Sequence, residues 1–466
     1  MKMKSDTIIG PLEITDTGIE GKGVGRWEGK VIFVKGAVPG DTVMAKVKRS
    51  KSSLADAELS ELIKSSDHRT PAFCKHFGVC GGCKWQHLSY HAQLQFKQKH
   101  VEENIRRIGG IETLFLPIVP SPMQRYYRNK LEYTFADKRW LTEFSGERPK
   151  EHIPGLGFHV PRRFDKVLDI ERCFLQDETG NAIRNFVKEL ALKNKWEFYD
   201  PKHRRGWLRN LMIRNTIGGE WMVVLIVNEG NDENREILLS ALLRAFPFIT
   251  SLQYIINTKS NDSFTDLETQ VFSGRDFIEE NMEGLRFRIG AKSFYQTNPH
   301  QAVRLYQVTR EMAGLQGHET VYDLYTGTGT IAQFVAQRAS KVVGIEYVER
   351  AIEDAKANAK LNNIQNVHFY AGDMKEVLND ALVERHGAPH VIITDPPRAG
   401  MHEDVVRKMM EMHPQRIVYV SCNPSTQARD LAILNEKYRS LKVQPVDMFP
   451  HTDHVESVAL LEKRED

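Results

Sequence analysis

Asp323-Leu324-Tyr325-Thr326-Gly327-Thr328-Gly329-Thr330 decides how this chain is to be read. The stretch ends a strand-like apolar run at residues 320–325 and opens a helical pattern. Gly327 and Gly329 let the backbone turn sharply and approach a ligand closely. Glu346 closes the next strand-like run, nineteen residues beyond Gly327, where a carboxylate can hold both hydroxyls of a ribose. Further runs at 367–370, 390–394 and 416–421 alternate with helical stretches, and a last pair stands near 442–448 and 458–461. That alternation predicts a doubly wound α/β domain with a parallel sheet from about residue 286, closed by an antiparallel edge. The glycine loop marks a nucleotide site without naming the nucleotide. Gly327-x-Gly329-x-x-Ala332 also fits a dinucleotide fingerprint. Asp323, and Asp373 after the third run, favour S-adenosylmethionine instead, because its sulfonium is cationic and it carries no phosphate.

Upstream the pattern differs. Residues 7–64 hold short alternating runs (8–14, 31–34, 42–47) punctuated by Gly and Pro, with the turn Pro39-Gly40-Asp41. Glycines 18, 21, 23, 25 and 29 read as one long, permissive loop. Such spacing predicts a small five-stranded barrel, with Lys46, Lys48, Arg49 and Lys51 between its runs. The barrel resembles a TRAM domain, an RNA-binding fold, in its glycine loop, its Ala37-x-Pro39-Gly40-Asp41 turn and its later Lys-rich run. Residues 74–83 form a cysteine-rich knuckle, 89–107 a helical stretch, and 117–285 a mixture with strands at 126–135 and 221–227 and a helix at 178–193. The expected division is therefore a barrel at 1–66, a mixed α+β central domain at 67–285, and the nucleotide-binding domain at 286–466.

Composition bounds the rest. The 466 residues are 41% hydrophobic and 27% charged, which excludes collagen-like, coiled-coil and disordered classes. Met222 to Val227 is the longest apolar run, too short for a membrane span, and the N-terminus lacks the apolar core of a signal peptide. A cytoplasmic protein with no membrane partner and no obligate protein partner is the expectation. The net charge of +3 divides into +8 over residues 1–150, +1 over 151–250 and −6 over 251–466. A basic front suits a polyanion, and nucleic acid rather than a membrane, since no basic amphipathic helix stands out.

Asp395-Pro396-Pro397-Arg398 ends the fourth strand-like run and Ser421-Cys422-Asn423-Pro424 the fifth, so both belong at the carboxyl edge where open α/β sheets bind ligands. A thiolate there is a strong nucleophile at neutral pH. By spacing alone, Cys422 reads equally as a small buried core residue.

These two motifs, with Phe294-Tyr295-Gln296-Thr297-Asn298 and Phe449-Pro450-His451-Thr452-x-His454-x-Glu456, are together very similar to the RNA uracil-5 methyltransferases. The resemblance covers essentially the whole chain. It implies that Cys422 adds to C6 of a uracil, that Glu456 removes the C5 proton, and that Asp395 hydrogen-bonds the pyrimidine or the methyl donor. It implies a donor site on Gln296, Tyr325, Thr330, Glu346, Asp373 and Asp395, with Thr330 standing where the family often has Asn. RNA cytosine-5 methyltransferases carry a second cysteine where this chain has Arg398, which favours uracil. The base must leave its stack to reach Cys422, and Phe294 is a candidate stacking ring. His451 and His454 read as support rather than metal ligands.

The remaining cysteines, Cys74, Cys80, Cys83 and, 90 residues later, Cys173, suit a zinc ion or a [4Fe–4S] cluster. Three close and one distant lean toward a cluster, and the spacing resembles the cluster-bearing branch of the same family. A basic, aromatic set (Arg125, Tyr126, Tyr127, Arg128, Lys130, Arg162, Arg163) offers phosphate contacts and stacking. The expected activity is S-adenosylmethionine-dependent methylation of a uridine in 23S ribosomal RNA. The alternatives are the same chemistry on transfer RNA, a catalytically silent RNA-binding assembly factor, and a dinucleotide-dependent oxidoreductase.

Overall fold

The computed structural model describes residues 3–142 and 153–465. The first two residues, read above for a leader, and residues 143–152 of the expected central domain lie outside them, as does Asp466. No helix among the described residues is long and apolar enough to cross a membrane.

Strands Ile8–Thr17, Gly23–Trp27, Lys30–Lys35, Thr42–Ser50 and Leu54–Lys64 close into the five-stranded barrel. Alternate residues (Ile32, Val34, Val43, Ala45, Val47) fill its interior. The glycines are not one loop. Gly23 and Gly25 lie inside a strand, and a Cβ on Gly25 would stand 2.6 Å from the Glu13 carbonyl. Close strand approach, not loop freedom, accounts for them. The Pro39-Gly40-Asp41 turn is held by the buried Asp41 carboxylate, which accepts from Val38 N at 2.8 Å and Ser66 N at 3.0 Å and pairs with Arg69.

The middle of the chain builds a seven-stranded sheet, with Trp221–Val227 buried along its whole length at the centre. Helices Glu178–Lys193 and Asp232–Ala245 cover it through Ile183, Val187, Leu238 and Leu242. The strand expected from residue 126 begins later, as Lys130–Ala136, because Tyr126 adopts a left-handed φ of 57° and turns the chain first.

The third sheet has eight strands, in the order Val367–Ala371, Lys341–Glu346, Thr320–Leu324, Val391–Thr394, Arg416–Ser421, Glu456–Lys463, Tyr438–Val446 and Leu114–Phe115. The first five are parallel, Glu456–Lys463 runs antiparallel to both its neighbours, and Tyr438–Val446 and Leu114–Phe115 run in the direction of the first five. Strand order reverses between Thr320–Leu324 and Val391–Thr394, which opens a crevice at their carboxyl ends. Helices Pro299–Ala313, Thr330–Ala336 and Glu349–Leu361 bury one face of the sheet through Leu305, Ile331 and Ile352. Helices Glu403–Glu411 and Pro424–Leu434 bury the other through Val406, Met409 and Leu431.

Two parts of this layer come from far upstream. Tyr90–Arg107, capped by Ser89, packs Val101 and Ile105 into the second face. Leu114–Phe115 adds a last strand, parallel to Tyr438–Val446 with Leu114 beside Lys442.

Candidate active site at the carboxyl edge of the sheet

At the crevice, Tyr325, Gly327 and Gly329 all take left-handed φ values, of 63°, 55° and 74°. Thr326 N donates to the Ile345 carbonyl at 3.0 Å. Glu346 fastens the loop, its carboxylate accepting from Gly327 N at 3.1 Å and from Val348 N at 3.0 Å. Thr330 is buried and opens the following helix, its hydroxyl 3.3 Å from that of Thr328. Asp373 caps the next short helix through Lys375 N at 2.8 Å and stays exposed. Gln296 reaches the site from the segment before Pro299–Ala313, where Asn129 Nδ2 donates to its carbonyl at 3.2 Å.

On the other side of the crevice, Ser421 pairs with Ser457 in the antiparallel register of their strands. Cys422 follows that last pair on one strand and Glu456 precedes it on the other, and the thiol feels the Glu456 charge. Asp395 follows the neighbouring strand, its N–H donating to the Leu324 carbonyl at 3.3 Å. Cys422, Glu456 and Asp395 thus come from three adjacent strand ends. The two loops are stitched together, since Asn423 Nδ2 and the Thr426 hydroxyl both donate to the Arg398 carbonyl, at 2.9 and 3.2 Å.

Burial sets the electrostatics. It pushes Glu456 up to about 8, with the Asp395 charge adding to the effect. Burial alone pushes Asp395 up to about 7, and Asp323 rises to about 7 by burial and the charges of Asp395 and Glu346. Cys422 rises to about 11, first by burial and then by Glu456 and Asp395, while the Arg398 guanidinium works the other way. Buried carboxylates gathered at one crevice suit a cationic ligand, and a sulfonium meets that requirement where a pyrophosphate does not.

Tyr306 escaped the reading from sequence. Its buried hydroxyl shares a hydrogen bond with Gln296 and feels the charges of Asp395, Asp323 and Glu456. A tyrosine on an amphipathic helix gives no sign of this. Of the aromatic set, Tyr127 is core, its hydroxyl donating to the Pro450 carbonyl at 3.0 Å, so it is not a stacking ring. Arg125 lies 3.9 Å over Phe73, and the Lys130 ammonium pairs with Glu132 at 2.7 Å. Phe294 is 71% exposed, as a stacking ring needs to be. His451 is buried edge-on against Phe73, and His454 lies 3.3 Å from the Arg398 guanidinium.

Cys74, Cys80, Cys83 and Cys173 line one cavity of about 350 Å³, among Phe77 and Phe174. Burial and one another's charge push Cys80 up to about 11 and Cys83 up to about 12. Among the described residues no three His, Cys, Asp or Glu side chains gather closely enough for a single metal ion. Thiolates on one zinc stand about 3.8 Å apart, from Zn–S bonds of about 2.3 Å.

Residues 266–464 match the tRNA (uracil-5-)-methyltransferase family, and residues 11–60 match the TRAM domain. An uncharacterized RNA methyltransferase of Bacteroides thetaiotaomicron is 54% identical over 96% of this chain and 99% of its own. Another, from Chlorobaculum tepidum, is 40% identical over 97% and 96%. The crystal structure of Pyrococcus abyssi tRNA (uracil-54, C5)-methyltransferase in complex with S-adenosyl-L-homocysteine is 30% identical with a TM-score of 0.73, covering 97% of this chain and all of that one.

Proposed function

The chain belongs to the S-adenosylmethionine-dependent RNA uracil-5 methyltransferase family, and from that premise we propose that it methylates C5 of a uridine through a covalent adduct on Cys422. The observation that supports this reading is the gathering of Cys422, Glu456 and Asp395 at adjoining strand ends, where both carboxylate charges act on the thiol. C5 of uracil is too weak a nucleophile to take a methyl group unaided. The Cys422 thiolate forms a bond to C6, and the C5–C6 π electrons move toward O4, so that C5 becomes enolate-like. C5 then bonds to the methyl carbon of the sulfonium, whose S–CH₃ bond breaks with its electron pair left on sulfur. The Glu456 carboxylate takes the C5 proton, the double bond re-forms, and the Cys422 sulfur leaves. Removing a proton from carbon asks for a strong carboxylate base, and burial strengthens Glu456 in that sense. Asp395 and the Tyr306 hydroxyl face the same space and can hydrogen-bond the pyrimidine edge or the donor. Gln296, Tyr325, Thr330, Glu346 and Asp373 would hold the donor.

The substrate we infer is 23S ribosomal RNA, on the joint presence of the barrel and the four-cysteine cavity. Transfer RNA is the second reading, favoured by the Pyrococcus tRNA enzyme, which matches the chain over nearly its whole length. We further propose that Cys74, Cys80, Cys83 and Cys173 hold a [4Fe–4S] cluster, which would supply a cross-link and no step of the reaction.

Nucleoside mass spectrometry of ribosomal and transfer RNA, purified separately from cells with and without the gene, tests the substrate. Loss of 5-methyluridine from large-subunit ribosomal RNA alone is expected, and loss from transfer RNA alone replaces it with the second reading. With the purified protein, Cys422→Ala should form no adduct with RNA containing 5-fluorouridine, which has no C5 proton to lose. Glu456→Ala should trap an adduct with ordinary RNA. An adduct formed by Cys422→Ala would sink the assigned nucleophile.

A further inference from the structure

Glu456 begins its strand directly after the loop that joins it to Tyr438–Val446, and Val446 pairs with Glu456 across the gap. Where the loop runs decides where the carboxylate is delivered. At its centre His451 adopts a left-handed φ of 65°, a conformation that strains a non-glycine residue and persists where its surroundings over-determine it.

Those surroundings come from residues 84–93. The His451 N–H donates to Gln93 Oε1 at 2.8 Å. The His451 carbonyl accepts from Lys84 N at 2.8 Å and Trp85 N at 3.0 Å. Gln93 Nε2 stands 3.2 Å from the His451 ring Nδ1 and donates to the carbonyls of Trp85 and Leu88 at 3.0 and 2.8 Å. Gln93 is completely buried in the first turn of Tyr90–Arg107. It ties together the two backbones that meet at His451, the loop itself and the segment just beyond Cys83. A buried amide so engaged leaves several backbone groups without partners when removed.

Resting on the reading of Glu456 as the base, we propose that Gln93 is a positioning residue for proton removal, acting through the left-handed His451 to set the path of the chain into Glu456. It touches neither RNA nor donor. Its loss acts on the last chemical step and spares nucleophilic attack, because Cys422 is delivered by a different strand and by the Asn423 turn.

The test compares wild type, Gln93→Met, His451→Asn and His451→Val, with the methyl donor present throughout. Gln93→Met keeps the bulk and loses the amide. Adduct formation on 5-fluorouridine RNA, which needs Cys422 and not the base, should stay within about threefold of wild type. Turnover on ordinary RNA should fall about a hundredfold with KM for RNA little changed, and a covalent adduct on ordinary RNA should accumulate. His451→Asn, which tolerates the left-handed backbone, should keep about tenfold more turnover than His451→Val, which does not. If Gln93→Met fails to accumulate as soluble protein, the two His451 variants decide the matter, and equal turnover between them overturns the proposal. So does Gln93→Met with wild-type turnover, or with both adducts lost together. Wild type that forms no 5-fluorouridine adduct overturns the catalytic reading itself, a different failure.

Discussion

Cys422 faces two carboxylates before it faces any substrate, and these, with burial, keep its thiol protonated at neutral pH. As pH rises through about 7 and then about 8, Asp395 and Glu456 ionise and push the thiol further up. A positive charge between them acts in the opposite sense, favouring all three ionised forms. Alkylation of Cys422 by iodoacetamide at pH 7.5 should therefore quicken about tenfold when S-adenosylmethionine binds, for a shift of about one pKa unit. It should not quicken with S-adenosylhomocysteine, which has the same shape without the sulfonium charge. Equal rates with the two ligands would remove the electrostatic account. This coupling also marks how far residues could be read from sequence. Cys422 alone was ambiguous, because a thiol after an apolar strand is chemically the same string whether buried or reactive. The fold brings Glu456 and Asp395 close enough for their charges to act on it, which the string alone does not show. Tyr306 was out of reach, since its partners lie on three other strands and one loop.

Among the elements, the turn at Gly327 and Gly329 separates two uses of glycine. A Cβ on Gly329 would stand 2.8 Å from the Phe369 ring and 2.9 Å from Ala355, whereas one on Gly327 meets nothing within 4 Å. Both positions are left-handed, so either alanine costs roughly 1–2 kcal/mol in backbone strain. Gly329→Ala should add about 1–3 kcal/mol of overpacking, read by urea unfolding. Gly327→Ala projects into the open side of the loop and should cost donor affinity instead, read by calorimetric titration with S-adenosylhomocysteine. Equal losses in both assays would show that the two glycines serve one purpose. This strand, loop and helix were legible because periodicity and turn chemistry agree there. Gly23 and Gly25 misled because glycine signals freedom and close approach with the same letter. Leu114–Phe115 left no trace because two residues carry no period.

For the whole molecule, the cysteine cavity brings Cys83 near Cys173, which lies 90 residues further along the chain. A cross-link over a loop of that length is worth roughly 4 kcal/mol in chain entropy. The proposed cluster would act as such a link. Cys173→Ser should abolish the visible absorbance and the iron content of anaerobically purified protein. It should also lower the unfolding midpoint while leaving Cys422 reactive toward alkylation. Wild-type protein with zinc and no iron would replace the cluster with an ion.

The strand Leu114–Phe115 also has a bearing on how the molecule is made. It leaves the ribosome long before the residues it lies beside, so during synthesis it waits unpaired until Tyr438–Val446 emerges. Once paired, it covers backbone groups that would otherwise form an open rim able to recruit a strand from another copy. The front of the chain thus supplies partners for part of the rim of the finished sheet, and detaching the sheet from that front would expose them.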